Sequence, residues 1–244
     1  MKRVSVLLVA LAVTQAHAQD FIPYLQIEID SQRYGRELRD NLERAHPWLK
    51  DDAKRSQLMR KAPATIPQGS VETSFTYRST PVTQRTAIQQ YLERLGKTDP
   101  KVAEKARAEF GRNDVTAIYS GIVAPFGYRP DDAAAGLAAY TLLGWLIATG
   151  APDPSSQQAV AVRGQIAESL ATNPRLKDPA RLASLAEELK ISFVTLHAGW
   201  QSARRDGTLP AYSDGVAGLF ARNGGPDLRS FALTDTGFAK RSAH

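Results

Sequence analysis

The sequence predicts an all-α protein: an irregular helical bundle around a central apolar helix, preceded by a signal peptide and an extended basic N-terminal arm. Three observations carry this. Asp99-Pro100, Asp153-Pro154 and Asp178-Pro179 each precede a run with helical spacing. Asp is a favoured N-cap, and Pro fits the first helical position because that N–H has no intrahelical partner. From Ala133 to Ala151 the chain carries no charge, and after residue 80 no alternating strand pattern of comparable clarity appears.

In chain order, the first element is an address. Lys2 and Arg3 precede an apolar run from Val4 to Val13, and a short polar stretch ends in Ala16-His17-Ala18. Cations, an apolar stretch and an A-x-A site make a secretory signal, cut after Ala18. The run is about half the length of a bilayer span, so no transmembrane segment is expected after cleavage. Without a twin arginine, the general secretory route is favoured. Loss of Lys2 and Arg3 from 31 basic residues leaves 29 against 25 acidic ones. That mild balance suits weak attraction to anionic envelope polymers and does not announce nucleic-acid binding. The chain has no cysteine, which excludes disulfides, a thiol nucleophile, a Cys-based zinc site and a lipidated Cys anchor. Periplasm or extracellular medium is the expected location.

Residues 19–73 read as an arm and linker, and 74–240 as the helical domain. "FIPYLQIEID" alternates at Leu25, Ile27 and Ile29, as a short strand would. Residues 31–62 hold nine Lys and Arg against five Asp and Glu, with Tyr34, Leu38, Leu42 and Ala45 in a narrow helical stripe. From Lys61 to Pro81 the composition turns to Pro, Ser, Thr and Gly, as in a linker.

Helices are expected at 81–95, 100–110, 114–124, 131–149, 154–172, 179–206 and 211–222. Gly96, Gly111, Gly150 and Gly207 stand where the runs stop. No internal period appears, which argues against a regular solenoid. In the stretch 133–151, Leu137, Tyr140, Leu142, Leu143, Trp145, Leu146 and Ile147 point all round the axis, the pattern of a buried or membrane-spanning helix. Seven alanines, three glycines and flanking acids Asp131, Asp132 and Asp153 favour the bundle centre over a span. Gly136 and Gly144 would let neighbouring helices approach closely. In 179–206, Leu182, Leu185, Leu189, Phe193, Leu196, Trp200 and Ala203 form one apolar stripe. Glu187, Lys190 and Thr195 lie opposite, on a face expected to meet water.

Four stretches resemble a family of exported bacterial proteins, domain of unknown function 6683: "GYRPDDAAAGLAAYTLLGWLIATG", "VRGQIAESL", "LAEELKISFVTLHAGWQSARRDG" and "FALTDTGF". The resemblance covers about residues 75–239. It rests on an Asp-containing loop before an Ala-rich helix with Tyr140 and Trp145, on Val162, Arg163 and Gln165, on a long Ala/Glu/Leu helix, and on Leu233, Thr234, Gly237 and Phe238. It implies an exported, mostly helical domain and carries no activity.

The familiar catalytic signatures are missing. There is no G-x-S-x-G elbow, Ser-x-x-Lys, H-E-x-x-H or EF-hand loop. His46, His197 and His244 share no helical face, so no metal site or cofactor is expected. Glu168-Ser169 resembles the Glu-Ser pair of lytic transglycosylases, but Leu170-Ala171-Thr172 does not continue that pattern. Glu187 and Glu188 diverge around their helix and read as solvated.

Five residues stand out as candidate binding groups. His197 flanks the long stripe beside Phe193 and Trp200, with Arg204 one turn on. It is either a boundary histidine bonded to a neighbour or a pocket edge titrating near neutral pH. Tyr140 and Trp145 bring buried donors that need either a protein carbonyl or a ligand. The best reading is an exported, non-catalytic binding module of the cell envelope. Its basic arm would contact an envelope protein or anionic envelope polymer. The rival is a periplasmic hydrolase using carboxylates or His197.

Overall fold

Seven α-helices and one β-hairpin make up the described residues, 74–222 and 227–241, of the computed structural model. The stretches expected to be a signal peptide, 1–18, and an arm, 19–73, lie outside them. The helices are α1 (Pro81–Thr98), α2 (Pro100–Arg112), α3 (Val115–Val123), α4 (Ala133–Thr149), α5 (Ser156–Ala171), α6 (Pro179–Arg205) and α7 (Leu209–Arg222). Strands β1 (Phe231–Thr234) and β2 (Gly237–Lys240) close the chain. The architecture is the all-α bundle around a central apolar helix that the sequence predicts.

The Asp-Pro signals work where the cap geometry allows. Asp99 accepts from the N–H groups of Lys101 and Val102, and Asp178 from that of Ala180, with Pro at the first position in both helices. Asp153-Pro154 does not start a helix. Ser155 does, in a reciprocal capping box with Gln158, because Ser followed three residues later by Gln satisfies two backbone donors at once. Gly150 ends α4 in the left-handed region, at φ 66°, as expected of a C-terminal glycine. Gly96 instead lies inside α1. A Cβ there would stand 3.7 Å from the Ala103 Cβ, so this glycine serves close packing between α1 and α2.

Helix α4 is the centre. All but one of its seventeen residues are buried, beneath α5, α6 and α7. The alanines let those neighbours in, and Leu142, Leu143, Trp145 and Ile147 each contribute about 1.5–3 kcal/mol of burial. Gly144 makes room for a close neighbour, since a Cβ would lie 2.5 Å from the Phe220 ring. Both ends are fastened. Asp132 caps the first turn through the Ala134 and Ala135 N–H groups and takes two bonds from Arg163 of α5, at 2.8 and 3.0 Å. At the other end Arg229 Nε donates to the Ala148 carbonyl at 2.9 Å, where the helix dipole favours a cation.

The hairpin corrects the expectation of no strand after residue 80. Its antiparallel register runs from Phe231↔Lys240 to Thr234↔Gly237. Four-residue strands are too short to display a period of two. The turn over Asp235-Thr236 relies on Gly237 at φ 104°, since no other residue type takes a positive φ among the described residues. The hairpin is bolted to the bundle by two side chains. Gln165 Oε1 accepts from the Phe238 N–H at 2.8 Å, while its Nε2 donates to the Phe238 carbonyl at 3.1 Å. Trp145 Nε1 donates to the Phe231 carbonyl at 3.1 Å.

The expected wet face of α6 is absent. Glu187, Glu188, Lys190 and Ile191 are buried like the Leu stripe, because α1, α3 and residues 75–80 cover that side. Only Thr195 of the three residues named there is half-exposed.

Candidate functional site

The five residues singled out in the sequence fall into two separate places. His197, Trp200 and Arg204 form a ledge along the last turns of α6. The His197 ring lies parallel to Phe193, with centroids 6.3 Å apart, and meets Trp200 edge-on at 6.0 Å. Its Nε2 lies 3.3 Å from Gln201 Nε2. Burial, and secondarily the Arg204 charge, hold the imidazole pKa below its ordinary value, so it is neutral at pH 7. The exposed Arg204 guanidinium lies 5.1 Å over the half-buried Trp200 ring, a cation–π contact.

Tyr140 and Trp145 belong to the interior. Tyr140 stacks on Phe220 at 5.0 Å, and burial pushes its phenol pKa up. Trp145 packs edge-on against Phe238 at 5.9 Å and spends its N–H on the Phe231 carbonyl. Trp145, Arg163, Gln165 and Phe238, which carry the family resemblance, are thus fastenings between α4, α5 and the hairpin.

A third place went unforeseen. Ser79 Oγ and Lys190 Nζ both donate to Glu187 Oε1, at 2.6 and 2.9 Å. Lys190 also donates to Thr116 Oγ1 at 3.4 Å. Gln84 Nε2 donates to Thr116 Oγ1 at 3.3 Å and to Ser79 Oγ at 2.9 Å. These five side chains close a ring. Tyr77 adds a bond to Glu187 Oε1 at 3.1 Å and one to the Pro130 carbonyl at 3.0 Å, and Lys190 sits 5.6 Å over its ring. Burial and Glu187 together keep the Tyr77 phenol protonated. The Lys190 and Glu187 side chains are 2 % and 4 % exposed, so the two charges of the ring are paired out of solvent, while Ser79, Gln84 and Thr116 are half-buried.

One residue along, Glu188 pairs with Arg94 of α1. Desolvation outweighs the attraction of Arg94 and raises the carboxyl pKa. Glu187 and Glu188, expected from the sequence to be solvated, are therefore held in ion pairs inside the protein. Burial on this face was legible only in Ile191 and Val194, apolar residues opposite the main stripe. Tyr77, Ser79, Gln84 and Thr116 carry no local signal, because their meeting depends on long-range folding.

Among the described residues no group of three or more His, Asp or Glu side chains is placed to hold a metal ion. No described helix is long and apolar enough to cross a membrane. No family model, curated protein or solved structure matches the chain.

Proposed function

We propose that the chain is an exported helical binding module of the cell envelope, without catalysis, whose folded domain anchors the arm 19–73 as its contact element. The supporting observation is the anchorage. Residues 75–80, the root of the arm, are tied by Tyr77 and Ser79 to Glu187. Backbone bonds add to this: Tyr77 N–H to the Asp131 carbonyl at 2.9 Å and Ala133 N–H to the Phe75 carbonyl at 3.0 Å. The described chain that adjoins the arm, residues 75–80, is thereby fixed to the core. The resemblance to domain of unknown function 6683 points to the same compartment and adds no chemistry.

The arm's positive charge is local. Residues 31–62 hold nine basic against five acidic side chains, whereas 19–73 as a whole holds nine of each. An anionic partner must therefore engage the segment and not the net charge of the arm. Co-sedimentation of the chain from Gln19 with phosphatidylglycerol vesicles and with lipopolysaccharide tests this. Binding falls as salt rises. Replacing Lys50, Lys54, Arg55, Arg60 and Lys61 by Gln weakens it by up to about 1 kcal/mol per cation. Equal binding by both proteins would remove the arm from the function.

A further inference from the structure

We propose that α1 and α2 form a hinged lid that opens as one unit from the rest of the domain and uncovers the Glu188–Ile191 face of α6. The protein has two apolar cores, and their membership carries the inference. The large core draws on residues 75–77, 119–148, 159–228 and the hairpin, with no residue from α1 or α2. The small core consists of Ala87, Tyr91, Leu92 and Leu95 of α1, Ala103 and Ala106 of α2, and from the body only Val115 and Ile191. Val194, partly buried, is the one residue touching both.

The lid is packed largely on itself. Tyr91 meets Phe110 edge-on at 5.8 Å across the helix pair, and Gly96 brings the two helices together at Ala103. Its attachment to the body runs along one face of α6 and is partly polar, with Tyr91 hydrogen-bonded to Thr195. Ile191 is the one fully buried residue of α6 in the small core, and Arg94–Glu188 is the ion pair across the seam.

The closed seam also holds costs that opening would relieve. Arg94 Nε is buried without a hydrogen-bond partner among the described residues, and Glu188 is a desolvated carboxyl. Opening hydrates both, which lowers the free energy of the open form relative to a purely apolar seam. The chain enters and leaves the lid at neighbouring points. Thr80, just before α1, and Asn113, between α2 and α3, are both extended, and Gln84, in the first turn of α1, bonds to Ser79 and Thr116 on the two sides. Strands of chain fixed side by side at both ends define a hinge line. Residues 75–80 and α3 stay with the body, the first through Glu187 and the second through the large core.

Hydrogen exchange on the chain from Gln19, under native conditions, reads this directly. The amides of α1 and α2 exchange as one block at least about tenfold faster than those of α4. Ile191→Ala accelerates that block by a further factor of about ten or more and leaves α4 unchanged. Exchange of the block and of α4 at one common rate in both proteins would overturn the lid. Because the chain has no cysteine, paired spin labels at Glu104→Cys on α2 and Gln157→Cys on α5, both exposed, give a second reading. A second, separated distance population that grows in the Ile191→Ala background supports the lid, and a single unchanged distance in both backgrounds overturns it.

Discussion

The two faces of α6 solve the same problem in opposite ways. One buries Leu182, Leu185, Leu189, Phe193 and Leu196 against the apolar α4, where contact is non-directional and a misplaced side chain costs only its packing. The other buries Glu187, Glu188 and Lys190, where every donor and acceptor must meet its partner or the desolvation penalty is left uncompensated. The first face therefore supplies bulk stability. The second supplies geometry: it fixes residues 75–80 and α3 on the body, and it seats α1 through Gln84 and Arg94.

The largest expected effect comes from breaking the polar face. Lys190→Met leaves Glu187 buried and unpaired, and should cost about 3–5 kcal/mol in urea unfolding. Lys190→Met combined with Glu187→Met should recover much of that loss, because Tyr77 keeps the Pro130 carbonyl and Ser79 keeps Gln84. A double variant no better than the single would show that the ring adds stability beyond charge compensation.

On the apolar face the sharpest test is a pair of glycines. Gly144→Ala drives a Cβ into Phe220 and should cost about 1–3 kcal/mol. At Gly136 the nearest atoms to a new Cβ are those of Leu189, at 3.8 and 3.9 Å. There Gly136→Ala is an ordinary contact, and the helix gains about 0.5–1 kcal/mol from the lost backbone freedom of the unfolded chain. Thermal unfolding of the two variants should shift in opposite directions.

A smaller effect separates the faces by pH. The folded protein holds the Glu188 proton more tightly than the unfolded chain does. Its contribution is therefore fullest below the ordinary carboxylate pKa, falls as pH rises through the raised folded pKa, and is level above it. Stability measured from pH 4 to 8 should decline relative to Glu188→Gln across that window; a constant difference would mean that desolvation does not dominate at this carboxyl. Smallest of all is Tyr119→Phe. The Tyr119 hydroxyl is buried without a hydrogen-bond partner among the described residues, so its removal should be neutral or stabilising by up to about 1 kcal/mol.

What was legible in the sequence follows the same division. Uniform apolarity placed α4 at the centre, and single-stripe periodicity placed Leu182 to Ala203 against it, because both signals are local and repeat many times. Asp99 and Asp178 marked helix starts for the same reason. The polar ring was not legible, since Ser79, Gln84, Thr116 and Lys190 are ordinary surface residues until tertiary contacts bring them together. Glu187 and Glu188 read as solvated in the sequence because charge on a helix usually is, and nothing in their neighbourhood names Ser79 or Arg94 as a distant partner. Among the candidate binding residues, the helical spacing of His197, Trp200 and Arg204 is a local signal, and the three lie in contact along α6. Tyr140 and Trp145 were recognised as donors needing partners, but the hairpin carbonyl that serves Trp145 lies 86 positions along the chain.

Gln165 gives the C-terminal hairpin a property that its own eight strand residues lack. A two-stranded sheet offers two rows of unpaired backbone groups, and such rows template the joining of one molecule to another. By presenting an amide N–H and an amide carbonyl to Phe238, Gln165 occupies the outer row of β2 as a third strand one residue long. At Phe238 the edge is thereby covered by a helix side chain, which leaves that residue no free backbone donor or acceptor to offer a neighbour's strand.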